Sequence, residues 1–431
     1  MKRRTLLAGT ALGATALGAM RLGTPALAAE EVTLDVFYTQ PSFSQFHEPI
    51  AAEFMKQRPD IKIAYRAPAA NYDEGHQVML RAAVTNQLPD VYYAGYHLLA
   101  ELTHTLERRN QILDLGPLLE AEPAEWREAN YAPAILSVGQ VDGVQRGLGV
   151  AASSCVMYVN EDLVRAGGGD PDNMPTTLDE IITLAAKIKD ATPGVSGITY
   201  NVHDWPDDWL WQTLIFQEGG ELYDPATGKV AYNNELGLHV LEDARRFVAE
   251  GGMKLINFDE SRQQFVAGQT GIQFDTPARV RQVTELIGDK FKMRTVAFPV
   301  SNKENGKLPT GGNAAIITAK DEAKQKAAWE FIKFVTGPQA QTIVVETTGY
   351  MPTNKLATGP DYLGPFYEAN PNFATVTSQI DRSRPWQGYP GGNSVRIWRT
   401  QRDIIANVMR GDVEPKDGLA QIVEQTEALM K

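Results

Sequence analysis

Two kinds of hydrophobic repeat alternate along this chain, and their order limits the folds that the chain can adopt. Apolar and polar residues alternate over residues 32–38 and again over 61–65, which is the two-residue repeat of a strand. Apolar residues recur on one helical face over 43–54 and 79–83, and a short apolar run covers 88–93. Strands and helices that alternate at this spacing predict a parallel α/β layer.

The second half of the chain continues the alternation. Residues 156–159 have the pattern of a strand, and residues 161–166 that of a short helix ended by glycines. Further strands are predicted at 272–274 and 314–317, and an amphipathic helix at 419–429. The α/β prediction therefore extends to the whole chain.

The length of the chain predicts two lobes. Its 431 residues exceed the roughly 250 to 300 over which one hydrophobic core keeps growing. No internal repeat or long linker is visible, so the lobes are expected to interleave. We predict an N-terminal lobe of residues 29–150 plus 312–345 and a C-terminal lobe of residues 151–311 plus 346–431.

Residues 1–28 have the composition of an export signal. The pair Arg3-Arg4 precedes a weakly apolar run at 6–20, and a small-x-small site follows at 25–29. This order predicts a twin-arginine signal peptide cleaved near Ala28, and hence a periplasmic protein. A membrane anchor is the alternative, but the run is shorter than the about 20 apolar residues that a span needs.

The net charge and the cysteine and histidine content limit which partners and sites this chain can have. The chain has 41 basic and 53 acidic residues, a formal charge of −12. Removal of the signal takes four basic residues and no acidic one, which leaves 37 against 53, a charge of −16. This balance argues against nucleic acid as a partner. The single cysteine, Cys155, is predicted to be a packed residue, and the scattered histidines predict no metal and no cofactor.

Five short motifs occur in an order that resembles family 1 of the extracellular solute-binding proteins, which includes maltose binders and glycerol-phosphate binders. They are LPDV at 88–91, MYVNEDL at 157–163, the FxxGxxGI element at 265–272, Gly311-Gly312, and TGYMP at 348–352. The resemblance implies the type II two-lobed α/β fold of periplasmic binding proteins, with a hinge and a ligand cleft between the lobes. It also implies the permease subunits of an ABC importer as partners, and we expect a monomer.

The loop and helix after the first predicted strand offer polar side chains for such a cleft. Gln40, Ser42, Gln45 and His47 carry amide, hydroxyl and imidazole groups, which suit a hydroxylated ligand because they donate and accept hydrogen bonds. The alternative is that Gln45 and His47 simply face water from the first helical turn.

Two further loops gain their roles from the resemblance. Gly95, Tyr96 and His97 match a stretch in which maltose binders carry a carboxylate, and Ser153 and Ser154 match another. Replacement of acids by an imidazole and a hydroxyl favours a ligand with acceptor groups or negative charge. The resemblance thus implies a derivatised or anionic sugar or a glycerol conjugate, with a neutral oligosaccharide as the alternative.

A tryptophan cluster is the most suggestive local feature. Trp205, Trp209 and Trp211 occur together, and Trp209 matches the aromatic platform of maltose binders. The alternative is a packed helix face, because residues four apart share one side of a helix. We expect at least one of the three indoles to line the cleft.

The remaining candidates follow later motifs. Thr276 is expected to direct a hydroxyl or backbone donor inward, and Gly311, Gly312 and Asn313 to present backbone N–H groups. Further along the chain, Trp386 could provide a second stacking face and Arg384 an anion contact, with a solvated arginine beside a surface tryptophan as the alternative.

The sequence thus predicts the periplasmic solute-capture subunit of an importer. One departure from the glycerol-phosphate binders is Pro390, which falls where those proteins use an arginine on the ligand. A secreted carbohydrate-active enzyme is one rival, with Asp207 and Asp208 as its acids, but neighbouring carboxylates rarely face each other across a bond. A binding protein that serves a sensor or chemoreceptor is the other.

Overall fold

A computed structural model describes residues 31–200 and 207–431 of the chain. The predicted signal peptide at 1–28, the predicted cleavage site and Trp205 lie outside the described residues. Among those that are described, no helix combines the length and the apolar character needed to cross a membrane.

The strands fall in two main sheets and two short hairpins. They are β1 (Val32–Phe37), β2 (Ile61–Tyr65), β3 (Val91–Gly95), β4 (Gln140–Val141), β5 (Val144–Gln145), β6 (Gly147–Ser153), β7 (Val156–Asn160), β8 (Ser196–Tyr200), β9 (Tyr223–Asp224), β10 (Lys229–Val230), β11 (Thr270–Asp275), β12 (Met293–Ala297), β13 (Leu308–Ile317) and β14 (Ser383–Pro385).

Helices cover these sheets. They are α1 (Ser44–Gln57), α2 (Tyr72–Thr85), α3 (Tyr96–Glu107), α4 (Gly116–Ala121), α5 (Ala124–Asn130), α6 (Pro133–Ser137), α7 (Glu161–Ala166), α8 (Leu178–Ala191), α9 (Asp207–Gln217), α10 (Glu235–Ala249), α11 (Phe258–Val266), α12 (Val280–Ile287), α13 (Glu322–Val335), α14 (Pro338–Thr348), α15 (Gly364–Ala369), α16 (Pro371–Ala374), α17 (Ser394–Arg410) and α18 (Pro415–Leu429). Short 3-10 helices include Pro41–Phe43 and Pro277–Arg279.

The first sheet has the order β14-β13-β3-β1-β2, and β6 also pairs with β13. Its β1, β2 and β3 are parallel, whereas β13 runs antiparallel to β3 and β6. The second sheet has the order β12-β7-β11-β8, with β8 and β11 parallel. The α/β prediction is confirmed, with antiparallel strands added to both sheets.

Two strands of the first sheet are joined to the second sheet through the chain: β6 precedes β7, and β13 follows β12. β6 belongs to the first sheet and leads through Ser154 and Cys155 directly into β7 of the second. β13 pairs with β14 at its start and with β3 and β6 further on. The predicted lobe boundaries at 150/151, 311/312 and 345/346 fall inside β6, β13 and α14, so each predicted crossing is continuous secondary structure.

Local patterns explain most element bounds. In α1, the predicted apolar face at Phe46, Ile50 and Phe54 is buried. The predicted strand at 61–65 and helix at 161–166 have the bounds of β2 and α7. β13 begins well before the predicted 314–317, because its first half contains one proline and two glycines that hide the apolar alternation.

Cys155 is a free, fully buried thiol, which confirms the prediction of a packed residue. Burial raises the pKa of this thiol well above its ordinary value.

Candidate functional site

A cavity of about 380 Å³ lies where the two sheets meet. Its walls come from the loops after β1 and β11, the crossing strands β6 and β13, and the start of α9. The carboxyl ends of strands are where open α/β sheets place ligands. The lining consists of Gln40, Pro41, Ser42, Phe43, Ala70, Asn71, Tyr72, Ser153, Trp209, Leu210, Phe258, Asp259, Phe274, Asp275, Thr276, Ala278, Arg279, Gly311, Gly312, Tyr350 and Trp386.

Two tryptophans form an aromatic wall. The ring centroids of Trp209 and Trp386 lie 6.3 Å apart, with a 46° angle between the ring planes. The indole N–H of Trp209 donates to the Pro309 carbonyl at 2.9 Å, and that of Trp386 to Asp208 Oδ2 at 2.9 Å. Because both N–H groups are held by the protein, the rings are fixed in orientation and can offer apolar faces to a ligand.

A second layer of rings supports this wall from behind. The His97 imidazole stacks on Trp386 with centroids 4.0 Å apart and an interplanar angle of 28°. Trp398 lies beyond, 6.4 Å from Trp386. Burial lowers the pKa of His97 well below its ordinary value, so the ring is neutral at physiological pH and acts as packing under Trp386.

Glycines let the crossing strands approach the cavity closely. A Cβ on Gly311 would lie 2.9 Å from Ser153 Oγ and 3.3 Å from the Trp209 ring. Gly312 has φ +112°, and a Cβ there would lie 2.0 Å from the Ala151 carbonyl oxygen. Gly311 is therefore required for space, and Gly312 both for backbone conformation and for space.

Hydroxyl and amide groups line the cavity beside the rings. The Ser153 hydroxyl makes no hydrogen bond to any residue that the structure describes, although Ser153 is buried. Gln40 has φ +62°, a conformation that costs energy for a residue with a Cβ, and its N–H donates to the Ala69 carbonyl at 2.8 Å. Thr276 uses its hydroxyl to accept from the Ala278 N–H at 3.2 Å.

Charged groups lie on the β11 side of the cavity. Asp275 accepts from Gln273 Nε2 at 2.9 Å, from its neighbouring Thr276 N–H at 2.7 Å and from Arg262 at 3.4 Å. Arg279 is half-buried in the wall. The sequence singled out the segment from Asp275, the last residue of β11, to Pro277 but missed Arg279, which ends the 3-10 helix Pro277–Arg279.

The structure brings half of the sequence-predicted residues to the cavity wall. These are Gln40, Ser42, Ser153, Trp209, Thr276, Gly311, Gly312 and Trp386. Trp211, the other described member of the tryptophan cluster, packs edge-on against Tyr232 with centroids 5.7 Å apart. Within the described residues, the cluster therefore supplies Trp209 to the wall and Trp211 to the core, because residues two apart in the helix α9 point to different sides.

His47 lies in the core and not in the cavity wall. It is 1% exposed, and its ring stacks on Tyr93 with centroids 4.7 Å apart and an interplanar angle of 10°. It shares the buried face of α1, whereas Gln45 is exposed on the opposite face. Helical geometry thus separates the two residues that the sequence offered together.

The other predicted residues are also outside the wall. Tyr96 and Gly95 are buried at the junction of β3 and α3. Asn313 Nδ2 donates to the Tyr72 hydroxyl at 2.9 Å, so it supports a wall residue from behind. The hydroxyl of Ser154 accepts from Gln379 Nε2 at 2.7 Å.

Arg384 forms an ion pair outside the cavity wall. Its guanidinium donates to both carboxylate oxygens of Glu221, at 3.0 and 2.8 Å, and lies 3.8 Å over the Phe216 ring. Trp386, in contrast, is 2% exposed and is not a surface tryptophan. The structure therefore places Trp386 in the wall and Arg384 in a surface ion pair.

Residues missed by sequence reasoning complete the wall. Tyr72 begins α2, and Tyr350 lies in the TGYMP motif. Phe258 and Asp259 begin α11. A polar or aromatic residue at the start of a helix gives no periodic signal of its own, so only the tertiary arrangement identifies Tyr72, Phe258 and Asp259. Tyr350, in contrast, stands in a motif that the sequence already marked.

Comparison with known proteins shows where this architecture recurs. The profile of the bacterial extracellular solute-binding protein family matches residues 38–342. The sn-glycerol-3-phosphate-binding periplasmic protein UgpB of Agrobacterium fabrum is 22% identical over 298 residues, 67% of this chain and 68% of that protein. UgpB of Escherichia coli K12 is 21% identical over 406 residues, 89% of each chain.

Solved structures share the fold. UgpB from Mycobacterium tuberculosis in complex with glycerophosphocholine has a TM-score of 0.79, with 18% identity, over 92% of this chain and 98% of that chain. The cyclic alpha-maltosyl-1,6-maltose binding protein from Arthrobacter globiformis has a TM-score of 0.77, with 20% identity, over 93% and 99%. The predicted two-lobed type II fold is thereby confirmed, and this chain belongs to the bacterial extracellular solute-binding protein family.

Proposed function

We propose that this protein is the periplasmic substrate-binding subunit of an ABC importer, which captures a small polar solute by lobe closure and delivers it to the permease. The solute is a sugar, a derivatised sugar or a glycerol conjugate. The protein acts as a monomer that docks on the transmembrane subunits. Export through the signal at residues 1–28 is part of the proposal.

One observation carries the proposal: the cavity between the sheets is walled by two oriented tryptophans and lies beside the crossing strands β6 and β13. A site at the crossing is covered from both sides when the lobes close. Ring faces at Trp209 and Trp386 suit the apolar face of a sugar or of a short carbon chain, and Ser153 and Gln40 offer hydrogen bonds.

Family relatives support the solute class. Those compared bind glycerol phosphate, glycerophosphocholine or a cyclic maltosyl maltose, according to their names. All are small polar molecules with hydroxyl or phosphate groups, and all of these relatives are binding proteins. Asp208 is bound to Trp386 and Gln212, which supports a structural role for an acid that could otherwise suggest hydrolysis.

Titration calorimetry on the mature protein tests the proposal. The panel consists of maltose, glucose 6-phosphate, sn-glycerol 3-phosphate and glycerophosphocholine, and at least one is expected to bind with a dissociation constant in the micromolar range, about 8 kcal/mol. Trp209→Leu is expected to weaken that binding at least about tenfold, since it removes a ring face.

Trp211→Leu is the matched control, because it removes a buried indole from the same helix but outside the wall. It is expected to change the affinity less than about twofold. Turnover of a glycoside would contradict the proposal. An affinity unchanged by Trp209→Leu would remove this cavity as the binding site.

A further inference from the structure

One positive charge in the cavity wall, that of Arg279, has no partner in the part of the chain that the structure describes. Of the lining residues that the structure describes, only Arg279 is basic. Its guanidinium makes no hydrogen bond or ion pair with residues in 31–200 or 207–431. Arg384, by contrast, is held by both oxygens of Glu221. An arginine left half-buried without a carboxylate is costly unless something else compensates its charge.

The acids that line the same cavity do not provide that compensation. Asp275 is bound by Gln273, by a backbone N–H and by Arg262. Asp259 is largely exposed and lies 3.5 Å from Arg262 Nη1. Both carboxylates therefore pair with Arg262, and within the described part of the chain neither forms an ion pair with Arg279.

Arg279 is a half-buried residue of the cavity wall, held in place by short-range structure. It ends the short 3-10 helix Pro277–Arg279, directly after the β11 loop that carries Thr276. Burial raises the pKa of Tyr350 to about 12, and the nearby charge of Arg279 opposes this rise. Tyr350 is itself a wall residue, so the guanidinium and a buried hydroxyl act on the same part of the cavity.

We infer that Arg279 is the anion contact of this cavity and that the captured solute carries an oxyanion group, such as a phosphate, sulfonate or carboxylate. The inference rests on the proposed function and narrows it to anionic solutes. In this arrangement, the oxyanion lies against Arg279 and the remainder of the solute against Trp209 and Trp386. A guanidinium presents a planar fork of donors that matches phosphate and carboxylate oxygens.

Matched ligand pairs separate this inference from the proposed function. Calorimetry compares glycerol with sn-glycerol 3-phosphate and glucose with glucose 6-phosphate, and includes glycerophosphocholine as a phosphodiester. We expect the anionic member of at least one pair to bind about tenfold or more tightly than the neutral one. Arg279→Gln is expected to remove that preference, while Arg279→Lys retains part of it as a point charge.

Arg281→Gln is the matched control. It lowers the net charge equally, but its side chain donates to the Glu346 carbonyl outside the wall. It is expected to change the affinity less than about twofold. Binding of the anionic member is also expected to weaken with added salt in the parent protein, and to do so less in Arg279→Gln.

Three outcomes are decisive. Loss of the anion preference in Arg279→Gln, with Arg281→Gln unaffected, supports the inference. Binding of neutral solutes alone, or an anionic solute bound equally well by Arg279→Gln, overturns the inference and leaves the proposed function intact. Failure of every solute in the panel overturns both.

Discussion

Acid is expected to destabilise this protein through His47, a neutral imidazole enclosed by aromatic rings. Its ring lies between Tyr38, Phe46 and Tyr93, at centroid distances of 4.4, 4.3 and 4.7 Å. Its Nε2 has no hydrogen-bond partner among the described residues. Burial lowers the pKa of His47 from 6.5 to about 3.

Because burial lowers the pKa of His47, this residue makes the folded protein less stable as the pH falls. Between pH 6.5 and about pH 3, the unfolded chain binds a proton at His47 that the folded protein does not bind. The stability that His47 contributes to the folded state is therefore fully present above pH 6.5 and is lost as the pH falls towards about 3. Each pH unit in this window costs about 1.4 kcal/mol, so at about pH 5 the loss from His47 alone is about 2 kcal/mol.

Urea unfolding of the parent and of His47→Phe, at about pH 7.5 and about pH 5, measures this loss. Phenylalanine keeps a flat ring among its neighbours but cannot be protonated. The variant is expected to lose about 2 kcal/mol less than the parent on acidification. His97, whose pKa burial also lowers, contributes equally to both proteins and cancels in the difference.

His104→Gln removes an exposed imidazole whose partner, Asp142, is exposed as well, and serves as the control, with acid sensitivity close to that of the parent. Equal acid sensitivity of the parent and His47→Phe would refute the reasoning. A fall of more than about tenfold in ligand affinity at neutral pH would place His47 in the binding site after all.

Three further changes test other parts of the structure. Gly312→Ala is expected to destabilise the protein by at least about 2 kcal/mol and to weaken binding, because its new Cβ would meet the Ala151 carbonyl; urea unfolding measures the loss. Arg384→Met is expected to cost about 1 kcal/mol in unfolding and to leave ligand affinity unchanged, since its partner Glu221 is largely exposed. Cys155 is expected to resist aromatic disulfide reagents until the chain unfolds, because burial raises its pKa and blocks access; absorbance reports the reaction.

For each of these three predictions, one outcome would contradict the reasoning behind it. Gly143→Ala, at φ +79° with open space around it, is the control for Gly312 and is expected to cost only about 1 kcal/mol; equal costs would contradict the steric argument. A tenfold loss of anion affinity in Arg384→Met would restore Arg384 as the anion contact. Rapid labelling of Cys155 in the native protein would show that its surroundings open readily.

The sequence by itself determined the alternation of elements and the family. The bounds of β2 and α7 follow from patterns within a few residues. At α7, the Asn160 side chain accepts from the N–H groups of Asp162 and Leu163, so the residues that start the helix are adjacent in the chain. Such local interactions can be predicted from the chain because they involve neighbours in sequence.

The site was only partly predictable from the sequence. Motif resemblance identified Trp209, Gly311 and Gly312, since a platform aromatic and close-approach glycines mark fixed positions in the motifs. His47 and Gln45 were proposed together for their polar side chains, although His47 lies three residues before Ile50 and so shares the predicted apolar face of α1.

Tertiary structure alone decided which arginine faces the cavity. Arg384 finds its carboxylate at Glu221, 163 residues away in sequence, while Arg279 has no such partner among the described residues. Nothing within a few residues of either arginine reveals this difference. The charge that a ligand meets depends on which charges the fold has already paired, and that pairing exists only once distant segments have come together.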